Sequence, residues 1–467
     1  MNDKQVKMYT CGPTVWNYPH IGNYRTFLFE DFLRRFLEYE GYTVTQVMNL
    51  TDVDDRIIKM CRENGYDLKE FTEKYAKSFF EDLEFLRVEP AEFYPRATEN
   101  IPEMVTIIQG LLDKGIAYKS EDGSIYYSIA KFPAYGQLSG IKPAELKAGA
   151  RVAQDDYDKE SAQDFALWKS WDELDGKIFW DTPLGRGRPG WHIECSAMSI
   201  KYLGEQFDIH TGGVDNIFPH HENEIAQSEG YTGKKFARYW LHSEHLLINA
   251  TKMSKRLGNI IIVKDLRERG IDVSTLRYFL LSGHYRAQLN FTDQSLEQAS
   301  STLKRINEFA SRLKDEIESS TSDAKVKSEM DEKALSLVNE TRKNYLAGLE
   351  NDLDSPAALA AVFEFITQGN KILDHAKLSK TALEAMSRFL NYDFNSIYSV
   401  IETPVEGENL SPELLRLLRE REVARKNKDW AKSDQIRNKL SESGIEVQDT
   451  AQGQKWRLRK KSSQVTS

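Results

Sequence analysis

Apolar residues recur with more than one period along the chain, and the changes of period divide it. VKMYT (6–10) reads as a strand. After a polar loop, Phe29, Phe32, Leu33, Phe36 and Leu37 return at helical spacing, and Gly41 follows as a stop. VTQVMNL (44–50) is a second strand. Strand, helix and strand within some fifty residues predict a parallel βαβ unit with a right-handed crossover. Ligands of such sheets sit at the carboxyl ends of the strands, where CGPTVWNYPHIGN (11–23) and TDVDD (51–55) fall.

From about 115 to 189 the texture changes to short strand-like pieces such as GSIYYSIA, broken by FPAYG, GIKPAELKAG and LGRGRPG, which predicts an insertion into the sheet domain. The βα pattern resumes with QFDIH, the glycine turn TGGVD, a helix starting near His220 and the apolar run WLHSEHLLIN. Residues 293–391 are almost wholly helical in pattern, with a polar break over 311–331, and predict a helical bundle. The Pro, Gly and acid content of 402–412 marks a linker. Beyond it, two amphipathic helices and the strand-like GIEVQD predict a small α/β unit.

Length and composition narrow the class. A chain of 467 residues exceeds one ordinary core. It has 40% hydrophobic and 29% charged residues, and no apolar run approaches the roughly 18 residues of a membrane span. The N-terminus MNDKQVKMYT lacks the apolar stretch of a secretory signal, so a cytoplasmic, membrane-free protein is expected. A net charge of -9 argues against a nonspecific nucleic-acid coat but allows a local basic surface. One such surface is KWRLRKK (455–461), where Trp456 among basic residues suits stacking on a base more than a plain solvated tail does.

Three cysteines, Cys11, Cys61 and Cys195, are too few for a disulfide framework. In FPHHENEIAQ (218–227), His220 and Glu224 stand four apart and share a helix face, with His221 about 100° round the axis. Two metal ligands could converge there, with Cys11 and Cys195 the candidates for two more. Spacing alone leaves this open against buried cysteines and a hydrated helix start. PHIGN (19–23) opens the first helix after the first strand, where backbone N–H groups and the helix dipole favour phosphate. TKMSKR (251–256) places Lys252 and Lys255 on a loop after a late strand.

Together these two motifs resemble the paired signature of class I aminoacyl-tRNA synthetases. CGPTV, NLTDVDD, YPRAT, GRPGWHIECSAM, FDIHTGGVDNIFPHHENEIAQSE, KMSKRLGN, LRYFLLSGHYR and the closing NKDWAKSDQIRNKLSESGIEVQDTAQGQKWR resemble, in order, the cysteinyl-tRNA synthetase family. The resemblance implies an α/β fold: a Rossmann-type parallel sheet split by an insertion, then a helical bundle and a small α/β C-terminal domain. The implied boundaries are 1–114 and 190–263 for the two catalytic halves, 115–189 for the insertion, 264–292 for a stem-contact region, 293–401 for the bundle and 409–467 for an anticodon-binding domain.

The implied zinc ligands are Cys11, Cys195, His220 and Glu224, leaving His221 and Glu222 as neighbours. Thr51 and Trp191 are implied to line the cysteine pocket. His20, Gly22, Asn23, Lys252 and Lys255 would serve ATP and catalysis. Gly212, Gly213 and Asp215 would bind adenosine or the amino group, and Trp430, Trp456 and Arg457 the tRNA. From the sequence alone Trp191 reads better as core packing, and Trp430 reads equally as packing the two helices together. The implied reaction joins L-cysteine to tRNA(Cys) through an adenylate, with Zn2+, and Mg2+ carried by ATP, in a monomer. Zinc suits this selection because cysteine and serine are near-isosteres that a hydrophobic pocket separates weakly, whereas zinc prefers thiolate. Two positions depart from the family pattern: Asn23 stands for a second histidine and Arg256 for a final serine. The alternatives are a zinc-dependent cysteine ligase of the mycothiol pathway, which has no use for residues 409–461, and a noncatalytic RNA-binding paralogue, which predicts decay of motifs that are intact here.

Overall fold

The computed structural model describes residues 4–141, 164–253, 257–320, 328–401, 412–443, 445–450 and 453–458. The chain forms two compact units, Met1–Ile401 and Glu402–Ser467.

Strand β1 (Gln5–Thr10) leads into helix α1 (Ile21–Tyr39) and strand β2 (Thr43–Met48), which pairs with β1 in parallel. Helix α1 buries Ile21, Tyr24, Phe27, Leu28 and Phe32 against the sheet and the bundle, which is why its apolar stripe is so broad. Its stop, Gly41, has φ +82°, a value that suits glycine alone. Helices α2 (Asp55–Asn64), α3 (Leu68–Phe85) and α4 (Ile101–Asp113) follow.

The insertion supplies β3 (Ala117–Lys119), β4 (Ile125–Tyr127), β5 (Phe165–Ser170), β6 (Trp180–Thr182) and β7 (Gly185–Pro189). They form an antiparallel sheet in the order β3-β4-β5-β7-β6. Most of GIKPAELKAG lies outside the described residues. Helix α5 (Trp191–Leu203) returns the chain to the first sheet through β8 (Phe207–Gly213), the short helix α6 (Val214–Asn216), a π turn at Ile217–His221, helix α7 (Glu222–Thr232) and β9 (Ala237–Ser243). The insertion shares one apolar cluster with α4, α5 and α7, including Ile107, Leu111, Phe165, Trp168, Ile193 and Ala226.

The parallel sheet runs β2-β1-β8-β9. Connections therefore leave in opposite directions on either side of the β1/β8 pair, and a crevice opens at the carboxyl ends of those two strands. The apolar run WLHSEHLLIN divides between sheets: β9 closes the parallel sheet, whereas β10 (Leu246–Ile248) pairs with β11 (Thr251–Lys252) and with β12 (Leu289–Phe291). Glu244 and His245, between the strands, make the corner that a single apolar run conceals.

Helices α8 (Val263–Glu268) and α9 (Val273–Ser282) lead to the bundle of α10 (Asp293–Ser319), α11 (Glu329–Glu350), α12 (Ser355–His375), α13 (Lys380–Arg388) and α14 (Asn395–Tyr398). Bundle and sheet are tied by the fully buried Arg277, which reaches Asp31 at 2.8 Å, the Leu86 carbonyl at 2.6 Å and the Tyr398 carbonyl at 3.1 Å.

The second unit packs α15 (Pro412–Lys426), α16 (Trp430–Glu442) and the antiparallel pair β13 (Ile445–Thr450) and β14 (Gly453–Leu458) around Leu418, Ile436, Leu440, Ile445 and Val447. The start of the basic run is therefore strand rather than tail. Backbone pairing with β13 accounts for this, with Trp456 opposite Val447 and Arg457 opposite Glu446.

Candidate active site and metal centre

The PHIGN segment is built as a helix cap. His20 is the N-cap of α1: the Asn23 backbone N–H donates to His20 Nδ1 at 3.3 Å, and the His20 backbone N–H donates to Asn23 Oδ1 at 3.0 Å. This reciprocal cap satisfies two N–H groups that would otherwise lack partners. Accepting at Nδ1 leaves the imidazole proton on Nε2. Burial also lowers the His20 pKa, which favours the neutral ring. A Cβ on Gly22 would come within 2.5 Å of Met253 Cε, so the start of α1 and the start of the lysine motif lie against each other here. The Ile21 N–H donates to the Ile261 carbonyl at 2.8 Å, holding both motifs together.

Lys252 ends β11 and pairs with Asp215 at 3.2 Å, and His245 Nε2 stands 3.3 Å from the same carboxylate. Lys252 and Asp215 are largely exposed, so their pair adds little stability. Lys255 and Arg256 lie outside the described residues. Gly212 and Gly213 end β8. A Cβ on Gly212 would sit 2.8 Å from the His221 ring.

The metal-type residues meet at the mouth of the same crevice. Cys11 directly follows β1, its backbone N–H donating to the Thr211 carbonyl of β8 at 3.3 Å. Gly12 lets the loop turn tightly, since a Cβ there would fall 1.7 Å from the Asn49 carbonyl oxygen. Cys195 comes from α5, and His220 and Glu224 from the π turn and α7. Cys11, Cys195, His220 and Glu224 offer donor atoms that all lie within 4.8 Å of one another. A second group, Cys11, His210, His221 and Glu224, meets the same criterion.

Glu224 sits at the centre of both groups. Its Oε1 is 3.1 Å from His220 Nε2 and 3.9 Å from Cys11 Sγ, while its Oε2 is 2.9 Å from His210 Nε2. His220 Nδ1 is 2.9 Å from His192 Nδ1, and His221 bridges Cys11 Sγ at 3.4 Å to His242 Nε2 at 2.8 Å. All four residues of the first group are buried or nearly so. Burial raises both thiols, raises Glu224 to about 7 and lowers His220 to about 3, favouring the uncharged forms. A divalent cation reverses that preference for the thiols and the carboxylate, because its charge outweighs the loss of solvation, and it binds the imidazole in the neutral form that burial already favours.

Of the implied pocket residues, Trp191 is partly buried and stacks on His220 with ring centroids 4.2 Å apart and planes at 23°. Thr51 is 2% exposed and donates its hydroxyl to Glu194 Oε2 at 3.0 Å. Trp430 is 55% exposed at the start of α16, with the Arg425 guanidinium 5.5 Å over its ring, so it does not pack between the two helices. Its position as the first residue of α16 puts it at the rim of the helix pair.

Sequence reasoning passed over His192, His210 and His242. The signal that could have found the histidines was density: five of the nine fall between 192 and 242, and all five are buried.

Comparison with known proteins decides the family. Residues 1–301 match the family model described as the tRNA synthetases class I (C) catalytic domain, and residues 408–457 that of the cysteinyl-tRNA ligase anticodon binding domain. A cysteine-tRNA ligase of Chlamydia felis is 46% identical over 96% of this chain and 93% of its own length. The chain belongs to the cysteine-tRNA ligase family. Another member, from Brachyspira hyodysenteriae, is 46% identical over 98% of this chain and 96% of its own. Among solved structures, the Mycobacterium tuberculosis methionyl-tRNA synthetase bound by methionyl-adenylate aligns with TM-score 0.65 at 13% identity, covering 88% of this chain and 94% of the other. A putative arginyl-tRNA synthetase from Campylobacter jejuni aligns with TM-score 0.59 at 13% identity, over 85% and 92%. These two share the class I fold. Family membership makes this chain a ligase, and among the described residues no helix is long and apolar enough to cross a membrane.

Proposed function

We propose that this ligase activates L-cysteine with ATP, transfers it to the terminal ribose of tRNA(Cys), and selects its substrate through zinc held by Cys11, Cys195, His220 and Glu224. The observation that carries the reading is the convergence of these four donors within 4.8 Å, beside the capped start of α1. Two thiols, an imidazole and a carboxylate form a donor set that zinc favours. The group containing His210 and His221 has only one thiol. We assign its two imidazoles to orienting Glu224 and Cys11, as the partners of metal ligands commonly do. When bound, zinc supplies a Lewis acid that holds substrate as thiolate and leaves serine's hydroxyl a poor competitor.

The rest of the chemistry belongs to the chain. In the first step the cysteine carboxylate oxygen bonds to the α-phosphorus of ATP, and the bond to the pyrophosphate oxygen breaks. Charge builds on the phosphate oxygens, so positioned donors matter more than a protein nucleophile. His20, its proton fixed on Nε2 by the cap, offers one donor, and the Asn23 amide a second. Lys252 and Lys255 offer positive charge from the opposite side, with Mg2+ accompanying ATP, and Lys252 leaves Asp215 to do so. Gly212 and Gly213 keep the floor low enough for adenosine or the amino group, with Asp215 at its edge. Trp191 walls the substrate pocket over His220, and Thr51 supports it through Glu194. In the second step a ribose hydroxyl of tRNA attacks the adenylate carbonyl and AMP leaves. The anticodon reader is the second unit, through Trp430, Trp456 and Arg457. The enzyme acts as a cytoplasmic monomer.

Cys195→Ser tests the assignment. It is expected to raise the KM for cysteine in ATP-pyrophosphate exchange at least about ten-fold and to lower bound zinc, with the KM for ATP nearly unchanged. Equal loss toward both substrates would refute the thiolate-binding role.

A further inference from the structure

The chain enters α7 through the π turn, where the Phe218 backbone is extended (φ -138°, ψ 131°), so no continuous helix upstream fixes where α7 begins. His220 and Glu224 belong to the metal group at this start. Glu222, between them, stands about 200° round the helix axis from Glu224, on the far side of α7. It is completely buried there.

What meets Glu222 is a loop of the insertion. The Gly136 N–H donates to Glu222 Oε1 at 2.8 Å, and the Leu138 and Ser139 N–H groups donate to Oε2 at 3.2 Å and 2.8 Å. Converging backbone N–H groups of this kind make a seat for a carboxylate. Glycine shapes it: Gly136 has φ +94°, and a Cβ there would fall 2.0 Å from the Ile141 carbonyl oxygen. Beside the seat, the Tyr135 hydroxyl donates to Asn223 Oδ1 at 2.5 Å. Loop 135–139 therefore grips the two residues that lie between His221 and Glu224, on a helix that carries none of the residues assigned to ATP.

Resting on the zinc reading above, we propose that Glu222, with Asn223 beside it, is a specificity-determining positioning residue: seated in the N–H groups of loop 135–139, it fixes the start of α7 and so the placing of His220 and Glu224 that cysteine binding needs. The insertion is then part of the amino-acid site although no residue of it belongs to the metal group. An anchor that only held the fold together would affect cysteine and ATP alike, whereas this one acts on the element that carries the metal ligands.

The test is Glu222→Gln in the full chain. The variant keeps the shape, but an amide has a single acceptor oxygen and turns its own N–H donors toward the remaining loop N–H groups, so at most one side of the seat survives. Tyr135→Phe removes the second tie without touching Glu222. Both variants and the parent are measured for zinc affinity by competition with a chelator, for amide hydrogen exchange over residues 135–139, and for the KM of cysteine and of ATP in pyrophosphate exchange. For Glu222→Gln the expected results are faster exchange in the loop, zinc bound about ten-fold more weakly, and a KM for cysteine raised about ten-fold with the KM for ATP unchanged. Tyr135→Phe is expected to move the same quantities in the same direction by about three-fold, and it decides alone if Glu222→Gln does not fold. Unmoved loop exchange, zinc affinity or cysteine KM, or an equal rise in both KM values, would overturn the proposal while leaving the metal assignment intact. A parent that binds no zinc, or whose exchange does not depend on cysteine, would overturn the assignment itself, and this proposal with it.

Discussion

Asn23 earns its place through backbone geometry as much as through its chemistry. Its Oδ1 accepts from the His20 N–H and its own N–H reaches His20 Nδ1, so one residue both starts α1 and sets the tautomer of the imidazole beside it. The motif itself was legible in PHIGN. The reciprocal cap was not, because a capping box is usually read from Ser, Thr or Asp at the first position. Glu30 was invisible for a different reason. It occupies an ordinary helix position, yet it is fully buried, accepts from Thr211 Oγ1 at 2.8 Å through one oxygen and leaves the other without a partner. Burial pushes its pKa up to about 8. Unfolded, the group titrates near ~4.3. Between those values the folded chain holds a proton that the unfolded chain releases, so this carboxyl costs stability progressively as pH rises, and the loss levels off above about 8. Glu30→Gln keeps an acceptor for Thr211 and removes the titration. Its free energy of unfolding relative to the parent is expected to climb from pH 5 to pH 8 and then level, with a limiting slope of ~1.4 kcal/mol per pH unit. A pH-independent difference would show that Glu30 titrates alike in both states.

At the scale of elements, the βαβ start, the insertion and the bundle were all readable because long periodic segments leave clear patterns. The divided run WLHSEHLLIN was not: β9 and β10 are both apolar, and only the corner at Glu244 and His245 separates two sheets. Equally hidden was the attachment of the insertion. Asp55, at the first turn of α2, pairs with Lys169 of β5 at 2.9 Å and Arg188 of β7 at 2.6 Å, and Arg188 also holds the buried Asp175 at 2.8 Å. The contacts made by Asp55 span more than a hundred residues of sequence, which no local pattern encodes. Arg188→Met leaves the carboxylate of Asp175 buried beside an apolar side chain. It is expected to destabilise the protein by about 3 kcal/mol and to speed hydrogen exchange in β6, β7 and the first turn of α2. Unchanged exchange there would mean that Arg188 does not help to dock the insertion. The metal group shows the same limit. His220 and Glu224 were adjacent on a readable helix face, whereas Cys11 and Cys195 join them only because the strand order places β1 beside β8 and α5 against α7.

For the whole molecule, the division into Met1–Ile401 and Glu402–Ser467 makes separable functions a direct expectation. The second unit has a core of its own and carries Trp430, Trp456 and Arg457, while every group assigned to cysteine activation belongs to the first. A chain ending at Ile401 is therefore expected to retain cysteine-dependent pyrophosphate exchange within about two-fold and to charge tRNA at least about ten-fold less efficiently, as loss of a stacked and charge-assisted RNA contact surface implies. Equal charging by both forms would remove the second unit from tRNA recognition. Substrate choice by a thiolate-selecting metal site in a class I catalytic fold is tested most directly by amino-acid-dependent exchange of pyrophosphate into ATP, measured across all twenty amino acids on zinc-loaded protein. Exchange with cysteine alone, and background rates with serine, is the predicted result; exchange with another amino acid, or with none from folded and zinc-loaded protein, would contradict it.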